Sequence, residues 1–185
     1  MLDERDTYHR TWHLAQLEGG AELTEFEFAS IRFREAFEHF VLQATRMSSG
    51  VDLNFAELCV MHTIRMQAMP TGAAWIARML NRDDIPNIHY SLRKLANMNL
   101  ISGIKEKGSK NINYQVTDEG ERITDLYVSI KKEVLSSQID ELSDFTTKIS
   151  SVTRMLTMLT GMYEESARVV ATYSRAQSAP DATDK

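Results

Sequence analysis

Apolar residues in the segment 24–44 recur at the helical period. Phe26, Phe33, Phe37, Phe40, Val41 and Ala44 fall on one stripe, and Ser48-Ser49-Gly50 closes the run. Thr24 followed by Glu27 has the form of a capping box and predicts the start of this first helix. Residues 4–18 read as helical but weakly patterned, and Gly19-Gly20 interrupts them. A second helix is expected after Asn54, with Glu57 at the capping-box position, ending near Met66 before Met69-Pro70. A third spans about 72–80, with Trp75/Ile76 and Met79/Leu80 sharing a face and Asn81 as its left-handed terminator. The fourth opens at Asp83-Asp84-Ile85-Pro86, an acidic cap with proline in the first turn. It turns Ile88, Leu92 and Leu95 inward and ends at Asn99.

Past Asn99 the period drops to two. Asn111 to Val116 alternates polar and apolar, which on a strand sends Ile112, Tyr114 and Val116 to one face. Residues 100–106 supply the pairing strand, with Lys107-Gly108-Ser109-Lys110 as the hairpin tip. Two short strands are marginal in water and must pack on the helices. Thr117 caps a fifth helix with the stripe Ile123, Leu126, Tyr127, Ile130 and Val134. A sixth follows from about Asp140. Its apolar positions Leu142, Phe145, Ile149, Val152, Leu156, Leu159 and Tyr163 alternate steps of three and four, the seam of a coiled coil. Such a seam either lies on its own domain's core or takes a partner helix, and self-association together with the Phe26, Phe33 and Phe37 stripe is the reading favoured here.

With 185 residues, 43% hydrophobic and 25% charged, the chain is neither disordered, collagenous nor stapled by disulfides. The single Cys59 has no internal partner, so a reducing interior is expected. The opening MLDERDTYHR has no greasy stretch, and the longest apolar runs are about five residues, far below the roughly 20 that span a bilayer. A cytoplasmic protein with no membrane contact is the expectation. Net charge is −5, but its distribution is uneven. Residues 1–70 carry 6 Lys/Arg against 11 Asp/Glu, residues 71–117 carry 7 against 3, and residues 118–185 carry 8 against 12. A basic centre between acidic flanks points to local contact with a polyanion, because binding responds to the field at the contact surface.

Three helices followed by a hairpin is the order of a winged helix-turn-helix. In that arrangement one helix enters a major groove while the hairpin reaches along the backbone. With Ile88, Leu92 and Leu95 inward, the fourth helix presents Asn87, His89, Tyr90, Ser91, Arg93 and Lys94, donors and acceptors uninterrupted by an acid. The hairpin adds Lys105, Lys107, Ser109, Lys110 and Asn111, suited to phosphate contact. The expected fold class is mainly α with a small β-hairpin wing, flanked by long amino- and carboxy-terminal dimerisation helices. Its divisions are dimerisation helices in 1–50, the winged helix-turn-helix in 51–120, dimerisation helices in 121–175, and a disordered tail in 176–185.

Leu92-Arg93-Lys94-Leu95, then Asn99-Leu100-Ile101, Val116-Thr117-Asp118-Glu119-Gly120 and the flanking long helices together resemble the MarR family of winged-helix transcriptional regulators. The resemblance implies a homodimer whose terminal helices interlock, two winged helices on successive major grooves of a pseudo-palindrome, and in many relatives a small-molecule effector. Phe40, Met61, His62 and Arg65 are the candidate effector contacts. The chain departs from the family in its wing, where EKGSKNIN lacks the family's Asp-x-Arg element, and at Asn99, which replaces the usual glycine.

Cys59 sits inside a predicted helix without a basic sequence neighbour, which favours a structural thiol over a peroxide sensor. His9 and His13 are four apart, but no third ligand is placed by the sequence, so no metal is expected. Ten methionines, including Met155, Met158 and Met162 beside the seam, are read as packing. No phosphate loop, GxSxG elbow or HExxH motif is present, so neither enzyme activity nor a cofactor is expected. The reading is a sequence-specific transcriptional regulator, a ligand-responsive repressor that binds a pseudo-palindromic operator in double-stranded DNA as a homodimer. The alternative is a helical adaptor that uses the winged helix and the seam for protein contacts.

Overall fold

The structure, a computed structural model, describes residues 13, 19–105, 108 and 111–177, the side chains of 137 and 174–177 excepted. The elements are α1 (Gly20–Ser49), α2 (Phe55–Arg65), β1 (Thr71–Gly72), α3 (Ala73–Met79), α4 (Ile85–Asn97), β2 (Ile101–Lys105), β3 (Ile112–Val116), α5 (Asp118–Asp140) and α6 (Phe145–Gln177). Two compact units divide the chain between Glu133 and Val134. The expected tail falls mostly on 178–185, outside the described residues.

In the first unit the core forms where the apolar stripes of α2, α3, α4 and α5 meet. Ile88, Leu92 and Leu95 of α4 are fully buried against Leu58, Val60 and Met61 of α2, Ile76 of α3 and Ile123 of α5. Each such side chain contributes about 1.5–3 kcal/mol by leaving water. The start of α2 is built as expected. Asn54 N–H donates to Glu57 Oε2 (2.8 Å) and Glu57 N–H to Asn54 Oδ1 (2.9 Å), a complete capping box. Asn81 and Asn99 both take the left-handed conformation, at φ 52° and 57°, and end α3 and α4 without glycine.

Several sequence expectations change. Helix α1 starts at Gly20 behind a left-handed Gly19, and Thr24 is a buried residue within it rather than its cap. The Gly19-Gly20 pair therefore launches the helix. Met79 is exposed, and α3 is buried through Ile76 and Ala77 instead. The side chain of Asp84 makes no capping bond to the backbone of α4. Val134 and Ile112 are exposed, so the α5 and β3 stripes are shorter than the pattern suggested.

The hairpin is also joined by a third strand. β1 pairs antiparallel with β3, Thr71 opposite Tyr114 and Gly72 opposite Asn113, giving the order β1-β3-β2. Two residues carry no detectable period, which is why the pattern missed it. β2 and β3 pair from Ile101–Val116 to Lys105–Ile112. Thr117 then ties the sheet to α5. Its N–H donates to the Leu100 carbonyl (3.1 Å), its hydroxyl donates to the Asn99 carbonyl (2.6 Å), and that hydroxyl accepts from Gly120 N–H (3.2 Å).

The second unit consists of the end of α5 and all of α6. On α6, Leu142 at its approach and Ile149, Val152 and Leu156 along it are exposed, while Phe145 and Leu159 are half-buried.

Candidate nucleic-acid interface

Helix α4 separates its faces sharply. Burial of Ile88, Leu92 and Leu95 leaves Asn87, His89, Tyr90, Arg93 and Asn97 exposed, Tyr90 at 57%. A surface cleft of about 350 Å³ runs along this face, lined by Tyr90, Arg93, Lys94, Asn97 and Met98. Its lining includes amide, phenol and guanidinium donors, groups that read base edges or grip phosphates.

Two residues assigned to this face from the sequence are placed differently. Ser91 is only 4% exposed, and its hydroxyl donates to the Asn87 carbonyl (3.0 Å). It lies a turn from Ile88 and Leu95, on the border of the buried stripe, where a small hydroxyl can bond back to its own helix. Lys94 turns toward α2. Its Nζ is 2.8 Å from Glu57 Oε2 and 3.5 Å from the Asp52 carbonyl, and its side chain is 35% exposed. The hydrogen bond to Glu57 raises the Lys94 pKa above its ordinary value.

At the start of α4, Arg82 grips Asp84 through both Nε and Nη2, and the Asn87 amide donates to Asp84 Oδ2 (2.9 Å). These bonds, from Arg82 first, hold the Asp84 carboxyl well below the usual range. The charge of Asp84 is thereby offset by its neighbour, while Asp83 beside it stays exposed. Sequence reading missed this role for Arg82, although an arginine two residues before the cap was a legible signal.

On the wing, Lys105 ends β2 exposed, and Asn111 is exposed beside β3. Lys107, Ser109 and Lys110 lie outside the described residues. On α1, Phe33 is 68% and Phe37 40% exposed, their rings stacked at 6.0 Å, whereas Phe26 and Phe40 are half-buried.

The candidate effector residues cluster between α1, α2 and α5. His62 meets the Tyr127 ring at 4.9 Å and Phe40 meets it at 6.3 Å. Met61 is fully buried. Arg65 pairs with Glu121 (3.2 Å) and Asp125 (3.7 Å), bracing α2 against α5. Burial, with Lys131 adding, lowers the His62 pKa, and its Nε2 is buried with no hydrogen-bond partner.

Burial pushes the Cys59 thiol up. Arg82 and Arg34 oppose the shift and Glu38 reinforces it. A thiol so held is poorly ionised, as a structural cysteine should be. His9 lies outside the described residues, and among those described no group of three or more His, Cys, Asp or Glu could hold a metal. Among the described residues no helix is long and apolar enough to cross a membrane.

Residues 53–120 match the family model of a winged helix DNA-binding domain. No curated protein matches the chain. Among solved structures it is similar to a MarR family transcription regulator, at 14% identity and TM-score 0.63 over 80% of this chain and 93% of that one. It is similar to Streptococcus pneumoniae FabT, solved in complex with DNA, at 17% identity and TM-score 0.61 over 77% and 98%. It is also similar to S. aureus MepR, solved as a DNA complex, at 21% identity and TM-score 0.55 over 70% and 95%. The fold is thus mainly helical with a small winged sheet, as in MarR-family regulators, and the resemblance read from the sequence is borne out at that level.

Proposed function

We propose, from a winged helix DNA-binding domain set in a MarR-type fold, that the protein is a sequence-specific regulator of transcription that binds double-stranded DNA as a homodimer. The observation that carries this reading is the outer face of α4. Asn87, His89, Tyr90, Arg93 and Asn97 stand exposed on a helix whose other face is locked into the core. No acid interrupts that face, and Asp84 at its start is paired with Arg82. The DNA complexes of the structural neighbours FabT and MepR support the same reading.

Exposed Phe33 and Phe37 on α1 and exposed Ile149, Val152 and Leu156 on α6 favour self-association. A two-fold dimer then reads half-sites about 10 base pairs apart. An effector acting through Phe40, Met61, His62 and Arg65 would bear on the contact of α2 with α5, and repression is the expected sense of regulation.

The test is selection from fragmented genomic DNA by the purified protein at moderate salt, followed by titration of the best fragment. Enrichment of a pseudo-palindrome, with affinity falling steeply as salt rises, is the expected result. Recovery of nothing above background would reject DNA binding and leave the adaptor reading, in which α4 and the seam contact protein.

A further inference from the structure

We propose that Lys94 is a positioning residue, its ammonium held on the buried Glu57 carboxylate so that α4 is fixed against the cap of α2, and that the adjacent Arg93 is the cation α4 presents to DNA. The inference rests on the DNA-binding reading above and divides its labour between two neighbouring residues that the sequence does not distinguish.

Glu57 is the unusual group. Its side chain is 1% exposed, and Oε2 accepts both the Asn54 backbone N–H and the Lys94 ammonium, each at 2.8 Å. Oε1 is buried without a hydrogen-bond partner. A carboxylate in such a place requires a cation, because an isolated buried charge is strongly unfavourable. Among the described residues Lys94 is the cation paired with it.

The ammonium also approaches the carbonyl of Asp52, whose carboxylate pairs with Arg46 near the end of α1 (3.1 Å). Through these contacts the end of α1, the cap of α2 and the last turn of α4 share one polar network. The rotation of α4 about its axis decides which side chains face a groove, and Lys94 is tied at the position where that rotation is set.

Arg93, one residue earlier and about 100° around the helix, is exposed and has no carboxylate partner among the described residues. The two cations therefore differ in what they bring to a polyanion. Lys94 and Glu57 together carry no net charge, so the pair displaces no counterion from DNA. A free Arg93 does. Each phosphate neutralised adds about 0.9 to the slope of log affinity against log salt.

The experiment measures that slope by fluorescence anisotropy on the labelled duplex recovered in the genomic selection, for wild type, Arg93→Gln, Lys94→Gln and Glu57→Gln/Lys94→Gln. Arg93→Gln should lower the slope by about 0.9. Lys94→Gln, which strands the Glu57 carboxylate, should weaken binding at every salt concentration. The double variant, which leaves no lone buried charge, should recover affinity toward wild type with the wild-type slope, and it keeps the test open if Lys94→Gln alone folds poorly. A slope reduced by about 0.9 in the double variant would make Lys94 a phosphate contact and overturn the inference alone. Wild-type protein that binds no duplex would overturn the DNA-binding reading and this inference with it.

Discussion

Gly120→Ala provides a test in which local and tertiary reasoning predict opposite signs. Gly120 is the third residue of α5, and as a helical glycine it is about 1 kcal/mol poorer than alanine by intrinsic propensity. Sequence alone therefore predicts a gain. In the structure a Cβ built on Gly120 would stand 2.1 Å from the Leu100 carbonyl oxygen and 3.1 Å from its carbon. Those are backbone atoms and cannot rotate away, so α5 would have to retreat by about 1 Å, and overpacking of this kind costs about 1–3 kcal/mol.

The retreat would also stretch the Thr117 bonds to Leu100, Asn99 and Gly120, each worth about 0.5–1.5 kcal/mol. After subtracting the propensity gain, the variant should lose about 2 kcal/mol. Gly161→Ala in α6 is the control, since nothing lies within 4 Å of a Cβ there and the change should be neutral or stabilising. Urea unfolding at matched protein concentration should place the Gly120→Ala midpoint about 1 M below wild type. A midpoint at or above wild type would refute the close approach of α5 to the turn before β2.

Three further outcomes are expected. Asn54→Ala removes the side-chain half of the α2 capping box and should lower stability by about 1 kcal/mol in thermal unfolding. The folded His62 resists protonation because it is buried, so below its ordinary value of 6.5 the unfolded chain takes up the proton first. Its contribution is therefore intact above that pH and is lost as pH falls toward the lower folded value. Denaturant titrations between pH 5 and 8 should show this loss in wild type and a flatter profile in His62→Gln. Replacing the exposed Ile149 and Leu156 together by glutamate should convert the proposed dimer to monomer in sedimentation equilibrium. A double variant that remains dimeric would remove α6 from the proposed interface.

Periodicity was sufficient where a helix has one wet and one dry face. The stripe Ile88, Leu92 and Leu95 and the capping box at Asn54 were legible because each depends on residues within one or two helical turns of each other. The left-handed positions of Asn81 and Asn99 were legible for the same reason. Thr24 had the right spacing for a cap, yet the chain enters the helix at Gly20, because Gly19 can adopt a positive φ without strain. Spacing identifies where a cap can form but does not choose among neighbouring starts.

The amino-acid sequence by itself determined the order of the helices and of the two hairpin strands, the inward face of α4 and the basic charge of the central segment. All of these follow from period, turn chemistry and composition. Only the tertiary structure decided which polar residues of α4 remain free. Lys94 and Arg93 are adjacent cations in the sequence, and what separates them is a carboxylate 37 positions away, buried at the start of another helix. The two-residue β1 and the close approach of Gly120 to Leu100 were settled in the same way. The physical reason is one of range. Secondary structure is biased by contacts within a few residues, whereas the charge and access of a surface side chain depend on whatever the fold brings against it.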